Sequence, residues 1–311
     1  MTLTCGVDVG GTKIAGAVVD TDGKVLEEHR VESPATDTEA IEDAIAGLVT
    51  ELGSRHQIEA VGVGAAGYVS ASRSVVMFAP NLAWRDVDLK SELEERVHVP
   101  VVVENDANSA AWGEFRFGAG ADADDLLLVT VGTGVGGGIV LDGELFRGSF
   151  GAAAEIGHLR VVPGGRPCGC GKLGCLEQYG SGSALVKAAR DAADRPEAAA
   201  LLAAAGGDPD NIRGPMITEV AQTGDPFARD ALAEIGRWLG AGIASLAAVL
   251  DPVVVVIGGG VSDAGDLLLD PIRDAFREHL TAREHRPEAE IRAATLGNRA
   301  GMIGAADLAR R

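Results

Sequence analysis

The chain has 311 residues, enough for two domains, and 46% of them are hydrophobic, so a large core can form. Its formal net charge is −19, which argues against a nucleic-acid-binding protein because such proteins need a basic surface. The start shows no signal peptide, and no apolar run reaches the roughly 18–20 residues of a membrane-spanning helix. The sequence therefore predicts a cytoplasmic protein that binds neither nucleic acid nor membrane.

The acidic excess has two readings. It is compatible with an ordinary soluble enzyme that has an acidic surface. It is equally compatible with adaptation to high salt, where screening makes a dense anionic surface tolerable. Only 5 lysines are present, so arginine supplies most of the positive charge.

Hydrophobic periodicity in the first part of the chain predicts strands that alternate with helices. Strands are expected at 3–9, 13–19, 24–31, 61–65 and 101–104, and helices at 37–52 and 107–115. A glycine turn joins the first two strands, and the last strand runs directly into its helix. An Ala-Gly-Asp stretch at 118–125 is the best candidate for a domain boundary.

The second part of the chain begins with strands at 126–131 and 138–141 around another glycine run. Further elements follow, with helices at 183–205, 217–223, 226–250 and 300–310 and strands at 253–257 and 290–294. The order strand, glycine turn, strand thus occurs twice, which indicates an internal duplication. We expect a small α/β domain at 1–118, with the helix at 300–311 packing back on it, and a larger one at 119–299.

The first glycine turn has the features of a phosphate-binding loop. Glycines allow backbone N–H groups and a threonine hydroxyl to face phosphate oxygens, and a nearby carboxylate could hold Mg²⁺. The residues concerned are Asp8, Gly10, Gly11, Thr12 and Lys13. Taken alone, this motif could also be an ordinary hairpin.

The second glycine run, at 130–138, is harder to explain as a plain turn. Its small side chains and hydroxyls fit a phosphate cradle built around Gly132, Thr133 and Gly134. A third glycine segment follows the apolar strand at 253–257. There Gly258, Gly259 and Gly260 would allow close approach of an adenine or ribose, although a loop without a ligand remains an alternative.

Asp106 lies in Glu104-Asn105-Asp106, where a strand ends and a helix begins. A carboxylate at such a junction lies at the mouth of a cleft in α/β folds. Asp106 could accept the proton of a sugar hydroxyl as it attacks a γ-phosphoryl group. Read in isolation, the Asn-Asp pair could simply cap the helix.

One histidine and three cysteines form a complete tetrahedral ligand set for zinc: His158, Cys168, Cys170 and Cys175. Because the shell is closed, the metal should be structural, and it would brace a glycine-rich loop at 158–175 that has little core of its own. The same brace would aim Glu155, His158 and Glu177 into one pocket, where carboxylates and imidazole suit sugar hydroxyls.

These motifs, in this order, resemble the ROK family of repressors and sugar kinases, and within it the glucokinases. The resemblance implies a two-domain actin-like ATPase fold, ribonuclease H-like in each half, with a cleft between the domains. It implies that Asp106 is the catalytic base, that the two loops bind ATP with Mg²⁺, and that the chain forms a homodimer or homotetramer. Sugar contacts would come from Gly67, Asn81, Asn105, Asp106, Glu155, His158 and Glu177.

The implied reaction is phosphorylation of D-glucose to glucose 6-phosphate. Several alternatives stay open: another hexose (N-acetylmannosamine, N-acetylglucosamine, fructose or allose), or polyphosphate or ADP as the phosphoryl donor. A sugar-responsive transcription regulator is disfavoured because no helix-turn-helix precedes the first strand, and a zinc-bearing sensor because Asp106 and both loops are intact. The family usually has proline where this chain has Ala66, so the Gly67 loop should differ slightly.

Overall fold

The computed structural model describes residues 2–311 as an α/β protein. The strands are β1 (Leu3–Val9), β2 (Lys13–Val19), β3 (Val25–Glu32), β4 (Ile58–Ala65), β5 (Tyr68–Val69), β6 (Val76–Phe78), β7 (Arg85–Val87), β8 (Val101–Asn105), β9 (Leu126–Val131), β10 (Val135–Leu141), β11 (Glu144–Leu145), β12 (Val254–Gly258) and β13 (Glu290–Ala293). The helices are α1 (Thr38–Gly53), α2 (Leu89–Val97), α3 (Asp106–Phe117), α4 (Glu177–Gly180), α5 (Gly182–Asp191), α6 (Ala199–Ala204), α7 (Gly214–Gln222), α8 (Pro226–Leu250), α9 (Asp266–His279) and α10 (Ala300–Leu308).

Two five-stranded sheets repeat one strand order. The first runs β3-β2-β1-β4-β8, with β1, β2 and β3 antiparallel and β4 and β8 parallel to β1. The second runs β11-β10-β9-β12-β13. In each sheet a meander is extended by two later strands on the side of its first strand. This repetition agrees with the duplication that the two glycine turns predict.

The chain divides into two compact units. Unit 1 contains the residues up to Leu128 together with Gly137–Ala154 and Thr295–Arg311, and unit 2 contains Val129–Gly136 and Glu155–Ala294. The sequence prediction assigned all of 119–299 to one domain, whereas this division gives 119–128, 137–154 and 295–299 to unit 1. One reason is that β10 lies against α3, where a Cβ on Gly138 would lie 2.4 Å from that of Ala111.

The last helix, α10, belongs to unit 1 and lies directly on its sheet. A Cβ on Gly6 of β1 would lie 1.8 Å from the carbonyl oxygen of Met302, and one on Gly62 of β4 equally close to that of Ala305. Only glycine at these two positions allows the helix backbone to approach the strands so closely. The result is a helix whose central residues are almost fully buried.

Unit 2 is built around α8, a helix of 25 residues. By length and composition alone α8 could cross a membrane, but half of its most apolar stretch is buried inside the fold. It packs against α9, since a Cβ on Gly240 would lie 2.4 Å from the carbonyl oxygen of Ile272. The helix is therefore a core element of unit 2.

Prolines explain where the predicted helices of unit 2 differ from the observed ones. The predicted helix at 183–205 is interrupted, because Arg195, which precedes Pro196, has an extended backbone (ψ 143°). A residue before proline avoids the helical region. In contrast, α9 contains Pro271 inside the helix, a residue that argues against a helix in sequence analysis. Neither α9 nor the short α2 was predicted.

Candidate active site

Asp8, near the end of β1, is half-buried beside the first glycine turn. The turn closes tightly, since the Gly10 N–H donates to the carbonyl oxygen of Lys13 at 3.1 Å. Burial, with a smaller contribution from the charge of Asp106, raises the pKa of Asp8 to about 7, while Lys13 acts in the opposite direction. A cation bound nearby would lower this pKa, so Asp8 would then be ionised at neutral pH.

Asp106 is the first residue of α3. Asn105 caps this helix, its Oδ1 accepting from the N–H of Asn108 at 3.0 Å, and Asp106 Oδ1 accepts from the N–H of Ala107 at 2.9 Å. Burial raises the pKa of Asp106, although hydrogen bonds from backbone N–H groups and from Asn105 lower it. A carboxylate with a raised pKa is a stronger proton acceptor, which is what a general base requires.

The other predicted residues of unit 1 lie next to these two. Asn105 Nδ2 donates to the carbonyl oxygen of Gly67 at 3.0 Å. Asn81 borders the first glycine turn, since a Cβ on Gly11 would lie 3.3 Å from that of Asn81. The departure at Ala66 also has a structural role, because its N–H donates to the carbonyl oxygen of Val9 at 3.4 Å, a bond that proline could not make.

In unit 2 the four predicted metal ligands converge. One ligand atom from each of His158, Cys168, Cys170 and Cys175 lies within 4.8 Å of the others. The Sγ atoms of Cys170 and Cys175 are 3.7 Å apart, as are Cys168 Sγ and His158 Nδ1. Sulfurs about 2.3 Å from a tetrahedral zinc are separated by about 3.8 Å, whereas a disulfide requires about 2.0 Å. The donor set and its spacing fit zinc.

The fourth cysteine is separate from this cluster. Cys5 lies on β1 and is fully buried. Burial raises the pKa of its thiol to about 12, so it is an unreactive part of the core.

Two glutamates flank the cysteine cluster. Glu155 is exposed and precedes a short 3₁₀ turn, Ile156–His158. Glu177 begins α4 and is engaged with the protein: its Oε2 accepts from the N–H of Val135 at 3.2 Å, and its Oε1 lies 3.8 Å from Cys168 Sγ. The carboxylate of Glu177 thus links the cysteine cluster to the second glycine loop, a contact that the sequence did not predict.

A cavity of about 650 Å³ lies within unit 2. Of the residues predicted to bind phosphate or nucleotide, Gly132 and Thr133 line it, whereas Gly134 faces Glu177 instead. Of the predicted segment Gly258-Gly259-Gly260, Gly260 lines the cavity together with Val261, whereas Gly258 and Gly259 do not. Gly259 instead allows two backbone segments to approach closely, since its φ is +84° and a Cβ there would lie 2.6 Å from the backbone of Val131.

The remaining walls of this cavity come from α5 and from the start of α7, and sequence reasoning missed them. They are Gly182, Ser183, Leu185, Val186, Lys187, Arg190, Asp191, Gly214, Pro215 and Thr218. The N–H of Gly182 donates to the carbonyl oxygen of Gly132 at 2.8 Å, which joins α5 to the glycine loop. The available signal was Ser181, which caps α5 ahead of an apolar helical stripe.

Comparisons with known proteins place this chain in a family. The model of the ROK family matches residues 4–311. A glucokinase of Streptomyces coelicolor is 54% identical over 312 residues, covering 100% of this chain and 98% of the relative. A glucokinase of Halalkalibacterium halodurans is 41% identical, covering 96% and 92%.

A solved structure gives the same result. The ROK family glucokinase from Streptomyces griseus in complex with glucose and AMPPNP is 55% identical, with a TM-score of 0.92 and coverage of 99% of each chain. The predicted two-domain actin-like ATPase fold is thereby confirmed. Together with the glycine loops, Asp106 and the cysteine cluster, these matches show that the chain belongs to the ROK family.

Proposed function

We propose that the chain is an ATP-dependent glucokinase, which transfers the γ-phosphoryl group of ATP to the 6-hydroxyl of D-glucose. The observation that carries this proposal is the match over 99% of both chains to a relative whose structure contains glucose and AMPPNP. The prediction from the sequence is the same. The half-buried carboxylates of unit 1 and the cavity of unit 2 supply the groups that such a reaction needs.

Asp106 is the general base of this reaction. It accepts the proton of the glucose 6-hydroxyl as that oxygen bonds to the γ-phosphorus and the bond to the β-phosphate oxygen breaks, which gives ADP and glucose 6-phosphate. Asp8 is the residue to hold Mg²⁺, which would neutralise charge on the phosphate oxygens. The first glycine turn, with the exposed side chains of Thr12 and Lys13, contacts the same phosphates.

The cavity of unit 2 binds the adenosine part of the nucleotide. Gly132 and Thr133 line the cavity, where the backbone N–H and hydroxyl of Thr133 would face phosphate, and apolar side chains such as Leu185, Val186 and Val261 line the part that would take the adenosine. A cavity of this size lies within the range of nucleotide sites. Its apolar lining favours a nucleotide donor over polyphosphate.

The sugar contacts are those that the family resemblance implies. They are Gly67, Asn81, Asn105, Asp106, Glu155, His158 and Glu177. His158, Cys168, Cys170 and Cys175 would hold a structural Zn²⁺ that fixes the loop between Glu155 and Glu177. The same resemblance supports a cytoplasmic homo-oligomer, and the net charge of −19 is compatible with a high-salt environment.

A coupled assay over a panel of hexoses with ATP, ADP and polyphosphate tests the proposal. We expect glucose with ATP to give the highest kcat/KM. A higher kcat/KM for N-acetylmannosamine or fructose would make the chain a different ROK kinase. No phosphoryl transfer to any hexose, combined with sugar binding by calorimetry, would favour a sensor or a transcription regulator instead.

A further inference from the structure

Glu104 is a buried carboxylate that the proposed reaction does not use. It lies on β8, two residues before Asp106, and is only 2% exposed. A buried carboxylate is strongly unfavourable unless charges or hydrogen bonds compensate it. The residues that compensate Glu104 therefore indicate what it does.

One oxygen of Glu104 holds the start of α3. Its Oε1 accepts from the N–H of Asn105 at 3.0 Å and from Nδ2 of Asn108 at 3.0 Å. Asn108 is itself only 1% exposed. These two asparagines flank Asp106 in the sequence, so the carboxylate of Glu104 holds the backbone just before the catalytic residue and a buried side chain in the helical turn just after it.

The other oxygen faces two guanidinium groups. Arg73 Nε lies 3.2 Å from Glu104 Oε2, and Arg147 Nε lies 3.7 Å from the same atom. The Arg73 contact lacks hydrogen-bond geometry, so it is a charge contact rather than a directed bond. Burial lowers the pKa of the Arg73 guanidinium. The negative charge of Glu104 raises this pKa, and the positive charge of Arg147 lowers it further. The two guanidinium groups therefore repel each other, and Glu104 is the anion between them.

Each arginine belongs to a different loop of unit 1. Arg73 lies between β5 and β6 with a φ of 57°, and its carbonyl oxygen accepts from the N–H of Val103 at 3.1 Å. Arg147 lies in the segment after β11, and its Nη1 donates to the carbonyl oxygen of Ala71 at 3.1 Å. A left-handed arginine is unfavourable in itself and persists only where its surroundings hold it.

We infer that Glu104 is a positioning residue that ties three sugar-site segments of unit 1 to one buried charge. These segments are the loop that follows Gly67, the β8–α3 junction that carries Asp106, and the stretch at 146–154 that leads into Glu155. The inference rests on the proposed function, because it takes Asp106 as the base. Without the charge of Glu104 the two arginines would separate, and the junction would lose its fixed geometry.

Glu104→Gln tests the inference, since glutamine keeps the shape but places an amide against two guanidinium groups. Glu42→Gln is the matched control: Glu42 is also buried in unit 1, 3% exposed, and its Oε2 lies 3.0 Å from Arg96 Nη2. We expect Glu104→Gln to lower kcat with glucose on the order of 100-fold, as small displacements of a catalytic group do. Both variants should lose thermal stability, but Glu42→Gln should keep its kcat, and Glu104→Asp should restore part of the loss.

Hydrogen exchange gives a readout that does not depend on turnover. Peptides covering 67–74, 105–109 and 146–154 should exchange faster in Glu104→Gln than in the wild type. In Glu42→Gln their exchange rates should equal those of the wild type. If the wild type phosphorylates no hexose while this difference is present, the proposed function fails and the tie between the segments stands. If Glu104→Gln cannot be purified, Arg147→Met removes one of the two cations and should lower kcat more than Glu42→Gln does. Equal kcat values for the Glu104 or Arg147 variant and the control would overturn the inference.

Discussion

Replacing Asp8 with asparagine should abolish turnover and yet stabilise the metal-free protein. The pKa of this carboxyl rises from 3.8 to about 7 in the folded chain, chiefly through burial. The native state then binds this proton more tightly than the unfolded state does. Stability consequently falls as the pH rises from about 4 to 7. The difference between the two pKa values corresponds to at most about 4 kcal/mol above pH 7, which asparagine would recover because it cannot ionise.

Urea unfolding of the two proteins in metal-free buffer, at several pH values between 4 and 8, measures this effect. Trp84 and Trp112 are fully buried in the same unit as Asp8, so a Trp238→Phe background makes the fluorescence report unit 1. The stability gap between Asp8→Asn and the parent should grow from pH 4 to 7 and stay constant above. Added Mg²⁺ with nucleotide should stabilise the parent protein but not Asp8→Asn.

Asp22→Asn, at an exposed aspartate in the turn between β2 and β3, is the control for loss of one carboxylate. A gap for Asp8→Asn that does not change with pH would refute the reasoning, as would a parent that is the more stable protein at pH 8. Either result would mean that Asp8 is well solvated or already paired in the folded chain.

Four further measurements test other parts of the site. Asp106→Ala should lower kcat about 10²–10⁴-fold while calorimetry still detects glucose binding, and a loss below roughly tenfold would contradict the base role. Cys170→Ser should lose bound zinc, measured by atomic absorption, together with glucose affinity; full activity of a zinc-free preparation would exclude a brace. Arg190→Met should raise the KM for ATP but not for glucose, because Arg190 lines the cavity and its Nη2 donates to the carbonyl oxygens of Asp210 and Ile212 in the loop before α7. A KM for ATP equal to that of the parent protein would contradict this. A melting temperature that rises from dilute buffer to molar KCl would indicate adaptation to salt, and full stability in dilute buffer would argue against it.

Local signals allowed much of the fold to be predicted from the sequence. The bounds of β1 and β2 were predicted as observed, because glycine turns and a buried apolar run delimit them. The convergence of the four candidate metal ligands was also predicted, since three of them lie within eight residues and only a few side chains bind zinc. Both strands and ligands depend on residues that are neighbours in the chain.

Contacts between distant residues could not be predicted in the same way. Glu104 meets Arg73 and Arg147 only after β8 and two separate loops have folded together, and no spacing in the sequence links these three residues. The cavity of unit 2 was missed for a related reason: its walls mix apolar, polar and charged positions of α5 and α7 that carry no motif. Such residues look like an ordinary amphipathic helix until the structure shows that they face a cavity.

The seating of α10 on β1 and β4 has a consequence for synthesis on the ribosome. The sheet of unit 1 is made from the first residues of the chain, but the helix that covers it is made from the last. The face of the unit 1 sheet that α10 covers stays open until residues 300–308 have left the ribosome, which is after residues 155–294 of unit 2 have been made. During this interval chaperones would have the largest apolar surface of unit 1 to bind.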